Sequence, residues 1–252
     1  GTWKLAGDTI PNAGNTETRN ATFIPASGAE NYKPLTARVT LDITKAPLTV
    51  TGATIKTRPY KPTYHTAEVS GVTFTGLVNG ETLTLGEDYI AYGNYDDPNA
   101  GENKRATIVV ELKSSAKANN YTLPKDSSVN ATGTITKASS SITTAPSATG
   151  ITYGQALSDS TLTGGTGSVP GAFAWTDSTA KPNAGTAQFE VTFTPTDTNY
   201  NSTTTNVSVT VAKATPTLTA PTATAIQYGQ KLTDSALTGG TATNPNGSAA
   251  GA

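Results

Sequence analysis

His65 is the only histidine in the 252-residue chain, and the first chemistry it could do is that of a general base in a Ser-His-Asp arrangement. That arrangement needs a nucleophile on a sharp turn, and the chain has no Gly-x-Ser-x-Gly. His65 therefore reads as a polar strand residue between Tyr64 and Thr66. Gly165-Thr166-Gly167 comes closest to a dinucleotide fingerprint, but Pro170 takes the place of the third glycine, and no P-loop occurs. Nothing positions a carboxylate pair for glycoside cleavage. Asp96-Asp97, with Glu87-Asp88, could offer hard oxygen ligands to Ca²⁺, although EF-hand spacing is missing and a solvated turn explains them too. Tyr60, Tyr64, Tyr89, Tyr92 and Tyr95 could form an aromatic platform for sugars. In a strand Tyr89 and Tyr95 share a face and Tyr92 points the other way, which makes Tyr92 the candidate ligand residue. Lys45, Lys137 and Lys213 read as boundary residues with solvated ammonium groups, a Lys–Asn isopeptide bond being the alternative. The Asn-x-Ser/Thr sites Asn20, Asn120, Asn130, Asn201, Asn206 and Asn246 are frequent by chance in a chain with 50 threonines. No residue set supports an enzyme, and no cofactor is expected.

Composition narrows the partners. Seventeen basic and eighteen acidic residues leave a net charge of −1. No basic excess gathers phosphates, so no nucleic-acid partner is expected. No apolar run approaches the ~18 residues of a membrane span. The absence of cysteine removes disulfides, zinc-thiolate sites and thiol nucleophiles.

The elements that would position any site are repeated. Residues 151–166, Ile-Thr-Tyr-Gly-Gln-Ala-Leu-Ser-Asp-Ser-Thr-Leu-Thr-Gly-Gly-Thr, recur at 226–241 with twelve of sixteen positions identical. Pro-Asn-Ala-Gly stands at 11–14, 98–101 and 182–185. Asn-Tyr follows at 31–32, 120–121 and 199–200, then Lys-Ala at 45–46, 137–138 and 213–214. Trp3 and Trp175 precede their Pro-Asn-Ala-Gly by similar distances, and Phe23-Ile24-Pro25 matches Phe193-Thr194-Pro195. Recurrence at matched positions assigns Trp3, Trp175, Tyr153, Tyr228, Phe23, Phe193, Tyr32, Tyr121 and Tyr200 to the repeated core. Between the turns the chain alternates with period two, as in Asn206-Val207-Ser208-Val209-Thr210-Val211, and threonine suits the outer face of such strands. Short strands in units of about 75–90 residues point to an all-β fold of tandem Ig-like β-sandwiches.

Tyr-Gly-Gln, Trp, Pro-Asn-Ala-Gly, Phe-Thr-Pro-Thr-Asp-Thr-Asn-Tyr and Val-Ala-Lys-Ala resemble the mostly-bacterial Ig-like (MBG) repeats. Leu77-Val78-Asn79-Gly80-Glu81-Thr82-Leu83, Asp88-Tyr89, Asn99-Ala100-Gly101, Asn120-Tyr121-Thr122-Leu123 and Gly133-Thr134-Ile135-Thr136-Lys137-Ala138 are similar to the related YDG-type repeat, with Pro59-Tyr60-Lys61 where that repeat shows Tyr-Asp-Gly. The resemblance implies tandem arrays in large secreted or cell-surface bacterial proteins, as stalks, adhesin shafts or fibres.

The expected organisation is a complete repeat at 139–214, a YDG-type domain at 47–138, the second half of a repeat at 1–46 and the first half of another at 215–252. The chain starts at Gly1 and reads as a processed product or an excerpt. The two half-units are too short to fold unaided. Read in a circle, Ala249-Ala250-Gly251-Ala252 followed by Gly1-Thr2-Trp3 continues the repeat. The expectation is an extracellular filament or stalk in rod form, its partner being itself, as head-to-tail copies or as adjacent repeats of the same chain. An adhesin or carbohydrate-binding segment contacting surface glycans is the alternative.

Overall fold

The structure, a computed structural model, describes residues 1–26 and 29–244. The matched 249–252 segment and Asn246 lie outside them. The chain is all-β: among the described residues the helices are four three-residue 3₁₀ turns. It divides into two compact units, Gly1–Lys137 and Ala138–Ala252.

The first unit begins with β1 (Thr2–Leu5), β2 (Thr16–Ile24) and β3 (Leu35–Asp42), which form an antiparallel sheet in the order β1-β2-β3. It continues with β4 (Ala46–Pro47), β5 (Thr49–Ile55), β6 (Arg58–Pro59), β7 (Thr66–Ala67) and β8 (Val69–Thr75). The remaining strands are β9 (Tyr89–Tyr95), β10 (Gly101–Leu112), β11 (Tyr121–Thr122) and β12 (Ser128–Thr136). A five-stranded sheet runs β6-β12-β10-β9-β7, and β5 pairs with β8 in a second, two-stranded sheet. Alternation decides what lies between them. Ala106, Ile108 and Val110 of β10 are buried with Ile135, Tyr89 and Tyr95, and Val50, Ala53, Val69, Val72 and Phe74 of the β5–β8 hairpin pack on that cluster. Phe74 meets Tyr89 edge to face, with centroids 5.0 Å apart. Gly93 allows the closest backbone approach, because a Cβ there would stand 2.1 Å from the Thr107 carbonyl oxygen.

The second unit opens with β13 (Ile142–Thr144), β14 (Ser147–Ala148), β15 (Ile151–Thr152), β16 (Leu162–Thr163) and β17 (Thr166–Gly167). Then come β18 (Gly171–Trp175), β19 (Gly185–Pro195) and β20 (Thr203–Ala212). The main sheet is ordered β15-β20-β19-β18, with small pairs β13-β17 and β14-β16. Val207, Val209 and Val211 are buried on one face of β20, and Ile151 and Leu157 complete the core with Trp175 and Phe189 packed around it. The opposite face carries threonine ladders such as Thr186–Thr210, with hydroxyls 3.1 Å apart. After β20 the small pairs recur: β21 (Thr217–Thr219) with β24 (Thr241–Thr243), and β22 (Thr222–Ala223) with β23 (Leu237–Thr238).

Candidate functional site

The isolated chemical candidates prove well occupied by their surroundings. His65 is exposed, and its backbone carbonyl accepts from Tyr95 N at 2.8 Å while its Nδ1 lies 3.2 Å from the Tyr95 carbonyl oxygen. Asp97 is ion-paired with Lys104 and also accepts from Asn99 N at 2.9 Å, contacts that hold its carboxyl below the usual range. Asp96 faces Arg105 at 3.7 Å. Asp88 is buried, and its carboxylate accepts from Ser115 Oγ (2.6 Å) and Thr84 N (2.8 Å), the serine bond being the main cause of its lowered pKa. Among the described residues no three His, Cys, Asp or Glu side chains converge on a point where a metal could sit. Tyr89 and Tyr95 are buried and Tyr92 is exposed, as their parity in a strand requires. The Tyr92 hydroxyl donates to Glu111 Oε1 at 2.5 Å, which raises its pKa and ties down the exposed ring's polar end. Lys45, Lys137 and Lys213 are exposed.

Sequence reasoning missed Arg58. It is buried, and its guanidinium donates to the carbonyl oxygens of Tyr64 (2.6 Å), Pro59 (3.1 Å) and Thr66 (3.2 Å). It also lies 5.1 Å from the Tyr64 ring centroid and 5.3 Å from that of Tyr95. A single arginine carries no periodic signal in the sequence. It replaces secondary structure as the clip of the segment between β6 and β7.

The repeated core residues show where a surface is left open. Phe193 and Tyr121 are buried, Trp175, Tyr153, Phe23 and Tyr200 are half-buried, but Trp3, Tyr32 and Tyr228 are exposed. These three belong to the two segments that the sequence reads as half-repeats, and within the described residues they stand exposed. The correspondence of Trp3 with Trp175 is corrected. Trp3 stands opposite Phe23 in the β1–β2 pair, whereas Trp175 stands opposite Val191 and it is Phe173 that faces Phe193. Trp3 thus takes the place of Phe173, and Leu5, opposite Ala21, takes that of Trp175. The Trp3 and Phe23 rings meet at a tilt of 54° with centroids 5.4 Å apart, those of Phe173 and Phe193 at 44° and 5.0 Å.

The same register matches β2–β3 to β19–β20, since Phe23 faces Leu35 as Phe193 faces Thr203. Val39, Leu41 and Ile43 then correspond to Val207, Val209 and Val211. Val39 is 39% exposed and Val207 only 5%. Trp3, Leu5, Ala21, Ala37 and Val39 line an open apolar depression on this sheet.

The segment after β20 is the converse case. Its local bonds repeat those of 149–161. Gln227 N donates to Gln230 Oε1 at 2.6 Å as Thr152 N does to Gln155 Oε1 at 2.7 Å. Lys231 N donates to Asp234 Oδ2 at 2.9 Å as Ala156 N does to Asp159 Oδ2 at 3.0 Å. Ser235 Oγ donates to the Thr224 carbonyl at 2.6 Å as Ser160 Oγ does to that of Thr149 at 2.5 Å. Yet Leu218, Tyr228, Leu232 and Leu237 are exposed.

The Lys-Ala and Asn-Tyr signatures, distant in sequence, meet in space. Ala46 pairs with Tyr121 in the parallel β4–β11 pair, and Ala138 pairs with Tyr200 in a parallel bridge. In the first, Leu48 N on the Lys-Ala side donates to the Thr122 carbonyl at 2.9 Å; in the second, Asn201 N on the Asn-Tyr side donates to the Ala138 carbonyl at 2.9 Å. A second parallel pairing also recurs. β6 joins β12 (Arg58 opposite Ile135), and β15 joins β20 (Ile151 opposite Val211).

Comparison with known proteins matches residues 44–131, little more than a third of the chain, to the YDG domain. No curated protein matches the chain. The resemblance to MBG repeats is corrected by this match: the family found is YDG, a designation shared with the SRA-YDG domains, which bind methylated DNA. The exclusion of a nucleic-acid partner from the balanced charge is withdrawn on the same finding, because overall neutrality does not prevent local phosphate contacts.

Proposed function

We propose that the chain is a structural, non-enzymatic segment of an extracellular stalk or filament, built from tandem Ig-like β-sandwiches arranged as a rod. The observation that carries this reading is the repetition of one hydrogen-bonding scheme, at 149–161 and again at 224–236, in which Gln, Asp and Ser side chains are bonded to backbone groups of their own segment. A stalk needs cores that resist extension, and the long antiparallel β19–β20 pair flanked by β15 supplies a clamp of that kind. Pulling single chains from their ends tests it. Residues 139–214 should unfold in one cooperative step that lengthens the chain by about 25 nm. Gradual lengthening without a step overturns the mechanical role, and antibody labelling restricted to permeabilised cells overturns the extracellular one.

The YDG match favours a second reading, in which residues 44–131 bind methylated DNA. Lys45 and Lys113 line one shallow depression with Ser114 and Asn119, and two such cations would give a salt dependence of about −2 in log K against log salt. Fluorescence anisotropy with methylated and unmethylated duplexes decides it. Methylation-dependent binding weakened by Lys113→Gln supports DNA recognition, and equal or absent binding removes it.

A further inference from the structure

We propose that the open apolar face of β1–β3 is covered by residues 214–243 of a second copy of this chain, which complete it as 138–167 complete the β18–β20 sheet. The proposal deepens the stalk reading and rests on it for its purpose, by supplying the joint between copies.

The occupant is identified by the chain's own complete example. In 138–214, three contacts tie the first segment to the sheet: the Ala138–Tyr200 bridge, the parallel Ile151–Val211 pairing, and Leu157 packed against Val209 and Val211. Each has both of its counterparts in the chain, at equal spacing on the acceptor and with one residue fewer between Ala214 and Ile226 than between Ala138 and Ile151 on the donor. Tyr32 corresponds to Tyr200 and Ala214 to Ala138. Ile43 corresponds to Val211 and Ile226 to Ile151. Leu41 and Ile43 stand beneath the place of Leu232, the counterpart of Leu157. The exposed members of these pairs lie on both sides of the proposed joint. Leu232 is 87% exposed on the donor, and Tyr32 is 68% exposed on the acceptor against 1% for its other counterpart, Tyr121.

The donor is also already shaped. Its turn at Gln227–Gln230, its 3₁₀ turn and its Ser235–Thr224 clip carry the bonds of the seated segment. Little ordering remains to oppose binding, and a short parallel strand at Ile226–Gln227 can add to the free side of the chain just past β3, at Ile43–Thr44. The indole bond of the seated segment is lost. Trp175 Nε1 donates to the Ser160 carbonyl at 3.0 Å, and Leu5 at the matching place cannot do so for Ser235. Because donor and acceptor are different surfaces of one chain, the contact is heterologous and propagates from copy to copy.

The native chain lacks cysteine, which allows the register to be tested directly. One preparation carries Thr44→Cys and another Gln227→Cys, the counterparts of the paired Ala212 and Thr152. Mixed and oxidised, they should form a disulfide-linked heterodimer, while Thr40→Cys with Gln227→Cys should not. Sedimentation of the unmodified chain should show mass rising with concentration, and Leu232→Asp should weaken that association on the order of 100-fold. A chain that stays monomeric, or cross-linking that ignores register, overturns the proposal. Force extension of 139–214, whose core is internal, reports on the stalk reading separately, so one can fail without the other.

Discussion

Leu157 and Leu232 occupy the same place in two copies of one segment, yet Leu157 is 2% exposed and Leu232 is 87% exposed. The backbone bonds around them agree to within 0.1 Å in the Asp159 and Asp234 caps, so the difference is not local. It lies in what faces them: Val209 and Val211 are packed with Leu157. Leu157→Ala should therefore destabilise the second unit by about 2–5 kcal/mol, whereas Leu232→Ala should leave the dilute chain's melting unchanged. Thermal denaturation at low concentration separates the two, and equal losses would refute the assignment of the uncovered face.

Asp88 gives the first unit an acid-sensitive anchor. Its carboxylate is fixed by Ser115 Oγ and Thr84 N, and Ser115 Oγ in turn accepts from Ala118 N at 3.0 Å. The folded pKa lies below the unfolded one. Its stabilisation is therefore full above the unfolded value of about 3.9 and disappears as pH falls through the lower folded value. Urea midpoints measured from pH 6 down to pH 2 should fall more steeply for the native chain than for Asp88→Asn. An identical slope in the variant would exclude Asp88 as the source.

Much of this arrangement was legible in the residues themselves. Period-two alternation placed Val207, Val209 and Val211 on one face and separated Tyr92 from Tyr89 and Tyr95. The repeated Lys-Ala and Asn-Tyr pairs were visible, but their pairing across 75 residues, as in Ala46 with Tyr121, belongs to the fold and leaves no local pattern. Matching Trp3 to Trp175 failed because residue type was followed where register decides. A shift of two keeps a side chain on the same face, so Trp3 and Leu5 can exchange size with Phe173 and Trp175 without disturbing the alternation. Arg58 was missed because its partners are carbonyl oxygens, which every residue has.

The Arg58 clip should be sensitive to shape as well as charge. Its three carbonyl partners lose their donor together in Arg58→Ala, and the rings of Tyr64 and Tyr95 lose the guanidinium they flank. The expected loss is about 3 kcal/mol, with Arg58→Lys recovering only part of it because a point ammonium cannot reach all three oxygens. Hydrogen exchange of Thr66 and Ala67 in β7 should quicken in both variants, more so in alanine.

Tyr95 supplies the opposite sign. Its ring is buried in the core of the first unit, and its hydroxyl finds no hydrogen-bond partner among the described residues. Burial, the largest influence on it, raises the phenol's pKa, as expected where the charged form is poorly solvated. An unsatisfied buried hydroxyl costs about 1–3 kcal/mol relative to an apolar group of the same shape. Tyr95→Phe keeps the ring and its contact with Arg58, and removes only the oxygen. The variant should be as stable as the native chain or more so, by up to about 1 kcal/mol. Gly133→Ala should instead be destabilising, because its Cβ would approach that hydroxyl oxygen to 2.2 Å. Combining the two should recover only part of the loss. The new Cβ also stands 3.1 Å from both Tyr95 Cζ and Ile55 Cγ2, contacts that removing the hydroxyl leaves in place. Chemical denaturation of the four chains in a double-mutant cycle reads this coupling, and strictly additive changes would show that the two positions do not meet.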